Sequence, residues 1–304
     1  MKIYEFRIIL PTSVTQYKIG NLYMTAQRSK EETAQVQGEG IETITNEPFQ
    51  NENESGQYTY KIMHFKSRIP GFIRWALPDK YCHCHEKSWN SYPHYHTEYS
   101  VPGMGDDFLM EIESQHFPYE KNGKIPENAL NLSKKELKKR KIVYLDILDS
   151  KPKPDKKEYD LHGFVCPEAG ISTPLQGSPK KAKANEEKPP LWSTCYDGEM
   201  MIAIKVVKFM FHWKGLQTIT EKFAMNTFYH NLFLDTHRQL MRLADKWYPM
   251  TIDDVRAFEN QIIEESRNIN FERDDDKEDV EIPDKPPEGI QIPPQEEESS
   301  SDSS

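Results

Sequence analysis

Two groups of side chains in this 304-residue chain have types and spacings that invite chemistry. The first is Cys82-His83-Cys84-His85, with His94 and His96 close behind. Thiolates and imidazoles are the donors that hold zinc in tetrahedral sites. On a strand, however, Cys82 and Cys84 face one way while His83 and His85 face the other. A four-ligand site would have to take one pair and borrow a second strand, so buried cysteines and edge histidines are the preferred reading. Cys with His also suggests a thiol hydrolase, but no nucleophile elbow or oxyanion-hole motif accompanies it. We expect no metal site and no catalytic residue.

The second group is three ionisable residues on apolar faces. Lys205 alternates in register with Met201, Ala203, Val207, Phe209, Phe211 and Trp213. Glu259 falls in a helical stripe with Ile252, Val255 and Ile262. Lys61 shares a strand face with Thr59 and Met63. An unpaired buried charge costs several kcal/mol, so each must lie at a rim or meet a partner. Taken singly, snorkelling lysines and a solvated stripe edge account for them.

The elements that position these residues follow from periodicity. Lys2–Leu10 alternates as a half-buried strand closed by Pro11, and Ser13 to Gln16 has the form of a capping box for a helix to about Lys30. Ile41–Thr45 reads as a strand, Asn46–Gly56 as a polar loop, and Gln57–Phe65 as a strand. Ile69 to Pro78 is a short apolar helix between prolines, either core or a lid. Strands follow near 81–90, 93–101, 107–117 and 142–148, with a short basic helix opening at Ser133. Residues 149–190 form a long irregular loop. Glu199–Trp213 is the longest strand. Thr218 or Thr220 caps a long helix to Trp247, and Thr251 starts a last helix that fades after Arg267. Successive strands joined by short turns imply an antiparallel sheet with helices on one face, an α+β fold.

Composition narrows the class further. Hydrophobic residues make up 36% of the chain and its formal charge is -10, with acids concentrated near the end. Residues 268–304 lack the means to form a core and are expected to be disordered. No basic module suggests nucleic acid. No apolar run approaches the ~20 residues that cross a bilayer, and the first residues carry charges that do not suit a signal peptide. The expectation is a cytoplasmic protein whose membrane contact is peripheral.

Three motifs agree in order and spacing. They are Asn46-Glu47-Pro48-Phe49, Gly56-Gln57-Tyr58-Thr59-Tyr60-Lys61, and Glu86-Lys87 followed by Trp89-Asn90 and Tyr92-Pro93. In these the chain resembles the phosphatidylinositol transfer protein family, over about residues 1–267. The resemblance implies a START-like, helix-grip architecture: a curved, mostly antiparallel sheet gripping long helices around a lipid cavity. It implies a monomeric carrier, not an enzyme, with no cofactor beyond one bound phospholipid, phosphatidylinositol. A second lipid, phosphatidylcholine or phosphatidic acid, is implied with it. Residue by residue, it assigns the inositol headgroup to Thr59, Lys61, Asn90 and Glu259. It assigns the phosphate to Asn21, Thr97, Ser114 and Lys205, Ser114 standing for the usual Thr and Asn21 for a Gln. Transient membrane docking falls to Trp213, Lys214, Phe72 and Trp75. Tyr95 stands where animal members have Cys or Thr, which narrows the pocket. Asn21 to Met24 and Ile69 to Gly71 lean to the class II branch and Gly215 to Gln217 to class I, so the branch stays open. The alternative function is a lipid-loaded sensor or adaptor that binds phosphatidylinositol without delivering it.

Overall fold

Eight strands form one open sheet in the order β2-β3-β4-β5-β6-β8-β1-β7. In this computed structural model the described residues are 1–33, 38–51, 54–121, 123–149, 153–154, 157–176, 188–213, 215–267, 269 and 271. The strands are β1 (Lys2–Leu10), β2 (Gly40–Gln50), β3 (Ser55–His64), β4 (His83–Ser91), β5 (His94–Ser100), β6 (Phe108–Pro118), β7 (Arg140–Leu145) and β8 (Met201–Phe211). Every pairing is antiparallel except β1 with β7. The helices are α1 (Val14–Thr33), α2 (Gly71–Arg74), α3 (Lys134–Leu137), α4 (Trp192–Cys195), α5 (Gln217–Phe223), α6 (Tyr229–Arg242), α7 (Ala244–Trp247) and α8 (Ile252–Arg267). The fold is α+β, as expected.

Long helices cover the face that carries Phe6 and Lys205. Phe233 of α6 meets Phe6 edge to face, ring centroids 5.3 Å apart. Tyr17 of α1 lies against His116 of β6, and Tyr23 of α1 stacks on Phe258 of α8. Gly20 lets α1 approach Trp247, since a Cβ there would sit 3.0 Å from the indole. The opposite face is also covered where β8 runs. Ile202, Ile204 and Val206 are buried in one cluster with Leu130, Leu132 and Trp192, and Lys208 reaches Glu136 of α3 at 2.9 Å. Burial on both sides explains why β8 is nearly all apolar.

Several elements differ from the sequence reading. Asn46–Phe49 is not loop: β2 continues through it to Gln50, past a register shift between Thr43 and Thr45. Neither Thr218 nor Thr220 caps the long helix. Leu216 occupies that position without a side-chain bond, and Thr220 is buried. The helix is interrupted by a π-helical turn, Ala224–Phe228, and breaks again before α7. At α1, Ser13 Oγ accepts from the Gln16 amide at 3.0 Å, but Gln16 Oε1 makes no return bond. Ser133 caps α3 with the full reciprocal box. In the 149–190 stretch, Leu161, Ile171 and Leu175 are buried in the main core, so these described residues belong to the packed body. β2, β6 and β8 are equally long, at 11 residues. The residues assigned to a tail, apart from 269 and 271, lie outside those described.

Candidate functional site

The register of five strands gathers the predicted residues. Directly paired residues of antiparallel strands share a face, and so do alternate residues along each strand. One row across the sheet reads Gln57, Asn90, Tyr95, Ser114, Lys205, Phe6. The next reads Thr59, Ser88, Thr97, Ile112, Val207, and the third Lys61, Glu86, Tyr99, Met110, Phe209. Thr59, Lys61, Asn90, Thr97, Ser114 and Lys205 therefore all lie on the helix-covered face. The two remaining residues expected at the headgroup, Asn21 and Glu259, come from α1 and α8.

A cavity of about 160 Å³ opens between α1, α8 and the β2–β3 edge, and Thr59, Lys61, Glu259 and Asn46 are among its lining residues. Asn46 sits opposite Thr59, and its Oδ1 accepts from Gln57 Nε2 at 2.8 Å. The glycine of the second motif also has a physical reason. A Cβ on Gly56 would lie 2.2 Å from the Asn90 carbonyl oxygen. No other residue lets β3 approach β4 at that level and keep Asn90 beside Gln57.

Charge is handled differently at the two ends of this face. Lys61 faces Glu86 at 3.8 Å, and Glu86 is tied in turn to Tyr99. Glu259 accepts from Arg256 at 2.6 Å. Lys205 meets a hydroxyl and a ring: its Nζ lies 3.5 Å from Ser114 Oγ and 5.7 Å from the centre of Phe233. Among the described residues no carboxylate pairs with it, and burial lowers its pKa to about 8. Beside it, burial and then the Lys205 charge hold His237 neutral, at about 3, and push His116 well below its ordinary value. His237 Nδ1 bonds the Phe233 carbonyl at 2.6 Å, so its Nε2 accepts from Tyr17 hydroxyl at 3.1 Å. The same Tyr17 oxygen lies 3.3 Å from the Asn21 amide. His116 bonds the Pro93 carbonyl through Nδ1 at 2.7 Å, and its buried Nε2 has no partner among the described residues.

Sequence reasoning gave no site role to Glu86, Ser88, Tyr99 or His116. Each lies on a strand face whose neighbours were already singled out, so alternation from Asn90, Thr97 or Ser114 was the available signal. Tyr95, flagged as narrowing the pocket, is buried between Asn90 and Ser114 and bonds Asn21.

The residues expected to dock lie apart from the cavity lining. Trp75 is 78% exposed. Phe72 packs edge to face on Phe223. Trp213 is half-buried, its Nε1 donating to the Ala76 carbonyl at 3.0 Å and its ring against Tyr81. Lys214 lies outside the described residues.

The cysteine–histidine cluster is put to structural use. Burial pushes the Cys84 thiol up to about 12, which disfavours the thiolate a nucleophile needs. His85 takes the Tyr60 hydroxyl at 2.7 Å. Among the described residues, no three His, Cys, Asp or Glu side chains are arranged to hold a metal ion, and no helix is long and apolar enough to cross a membrane.

One helix-covered sheet face thus carries a polar row, a buried cation and, at the β2–β3 edge, a cavity of about 160 Å³. The sequence matches the phosphatidylinositol transfer protein family over residues 1–264. Phosphatidylinositol transfer protein 1 of Dictyostelium discoideum is 37% identical over 277 residues, 91% of this chain and 98% of that one. The beta isoform of Mus musculus is 39% identical over 264 residues, 85% of this chain and 91% of that one. Protein retinal degeneration B of Drosophila melanogaster is 34% identical over 264 residues, 86% of this chain but 20% of its own length. The chain belongs to the phosphatidylinositol transfer protein family.

Proposed function

We propose that this protein carries one phospholipid between membranes and that phosphatidylinositol is its defining cargo. The observation that supports this reading most directly is the shared face. Thr59, Lys61 and Glu259 border one cavity, Asn90 stands on the next strand, and among the described residues no carboxylate pairs with the buried Lys205. An inositol ring needs donors and acceptors from several directions, which Lys, Glu, Thr and Asn supply with charge-assisted strength. A phosphodiester supplies the anion that Lys205 lacks, with Ser114, Thr97 and Asn21 around it. A second phospholipid with the same phosphate, phosphatidylcholine or phosphatidic acid, uses that half of the site alone.

A cavity of about 160 Å³ suits a headgroup. It falls below the roughly 300–1,000 Å³ that buries a drug-sized ligand. The acyl chains need further apolar room, because each CH2 withdrawn from a bilayer costs about 0.8 kcal/mol unless an equivalent environment replaces it. Exchange therefore requires opening at a membrane. We assign contact to Trp75 and Phe72 on the segment around α2, to Trp213, which bonds that segment at Ala76, and to Lys214, which follows Trp213 in sequence. The protein then works as a monomer in the cytoplasm, touching membranes only at exchange.

The test is mass spectrometry of lipid co-purifying with the native protein, followed by transfer between vesicles. Stoichiometric phosphatidylinositol is expected. Lys61→Ala and Glu259→Ala are expected to lose phosphatidylinositol transfer about ten-fold, one charge-assisted bond's worth, while transfer of the second lipid survives. A lipid-free protein in cells rich in phosphatidylinositol would overturn the cargo. Stable loading without vesicle exchange would replace the carrier with a sensor.

A further inference from the structure

We infer that Ser88 is a positioning residue that couples the two halves of the headgroup site and so sets the preference for inositol lipid. This rests on the reading above. Ser88 is 6% exposed and lies in register between Thr59 and Thr97. Its Oγ is 3.1 Å from Asn90 Oδ1 and 2.9 Å from Thr97 Oγ1. It is the bridge between a residue assigned to inositol and a residue assigned to phosphate.

The coupling follows from counting protons. A hydroxyl has one hydrogen to donate. With the amide oxygen of Asn90 facing Ser88, Ser88 donates to Asn90 and Thr97 must donate to Ser88. Thr97 then turns only lone pairs to the site, which repels an anion. A phosphate accepting from Thr97 reverses the chain. Thr97 donates outward, Ser88 donates to Thr97, and Asn90 must turn its amide so that its NH2 donates to Ser88. Asn90 then turns its carbonyl oxygen away from Ser88, as an acceptor for a ring hydroxyl. An Asn side chain makes this turn by exchanging two atoms of nearly equal size. Phosphate binding thus prepares the acceptor that an inositol uses and a trimethylammonium group cannot.

Ser88→Ala frees Thr97 to meet phosphate unaided but leaves Asn90 without orientation. Ser88→Thr keeps the hydroxyl and suits a strand. The experiment loads wild type and both variants from vesicles holding equal amounts of phosphatidylinositol and phosphatidylcholine. Native mass spectrometry then reads the ratio bound, with thermal unfolding run alongside. Ser88→Ala is expected to lower the phosphatidylinositol-to-phosphatidylcholine ratio about five-fold, the equivalent of about 1 kcal/mol for one hydrogen bond. Phosphatidylcholine loading is expected to hold, and Ser88→Thr to restore the wild-type ratio. An unchanged ratio in Ser88→Ala, an equal loss of both lipids, or a Ser88→Thr that behaves as Ser88→Ala would overturn the coupling. A wild type that loads no phosphatidylinositol would overturn the cargo as well, and that result is read before any variant is made.

Discussion

Lys61 and Lys205 are both buried on the same sheet face, 9% and 8% exposed, yet they sit in opposite electrostatic settings. Lys61 has a carboxylate of its own, Glu86, in the next strand. Lys205 has a serine hydroxyl and a phenyl ring. The first lysine is neutralised within the protein, so a ligand gains from it a directed hydrogen bond more than a charge. The second carries a desolvation cost that an incoming anion offsets. On the proposed reading, one end of the site selects by geometry, the other by charge.

That contrast can be broken most forcefully at Lys205. Lys205→Met is expected to reduce loading of every phospholipid about 100-fold, the upper range for a charge-assisted bond, while raising the thermal midpoint of the lipid-free protein. A lipid-selective loss, or a lower midpoint, would place a hidden counter-charge near Lys205. The pH dependence is the next largest effect. Below about 8 the buried ammonium is charged and receives an anion. Between about 8 and the ordinary 10.5 the unfolded chain keeps a proton that the folded chain has released. Stability from this group therefore rises with pH over that window while anion affinity falls. Loading measured at pH 9 is expected to be roughly ten-fold weaker than at pH 7, and Lys205→Met should show no such slope. The smallest effect sharpens the other side. Glu86→Gln leaves Lys61 without its carboxylate and is expected to cost the lipid-free protein about 1–2 kcal/mol in denaturant unfolding. Lys205→Met should have the opposite sign in the same assay. If both variants destabilise, the two lysines are alike and the division of labour fails.

How much of this was legible depended on whether the information was local. The face of Lys205 could be read from alternation through Met201–Phe211, and the stripe of Glu259 from helical spacing. The pairing of Lys61 with Glu86 could not, because alternation says nothing about which strand lies alongside or in what register. Asn46–Phe49 looked like loop because Asn, Glu and Pro are depleted from strands. Pro48 is tolerated because β2 is an edge strand. The cap expected at Thr218 or Thr220 failed for a tertiary reason, since Thr220 is drawn into the core. The π-helical turn left no mark in the periodicity. Ser88 was passed over because a serine on a polar strand is unremarkable until its two neighbours are known. The similarity of the motifs supplied the assignment of residues to headgroup parts, which periodicity alone leaves open.

The exposure of Trp75 has a practical optical consequence. Of the five tryptophans, Trp89, Trp192 and Trp247 are buried and Trp213 is half-buried against Tyr81. Trp75 alone is largely in water. Its emission is the red-shifted component of the spectrum and the one that a dissolved quencher reaches. A blue shift with loss of quenching on adding vesicles would therefore report chiefly Trp75 leaving water, on the segment beside α2, without any label being attached.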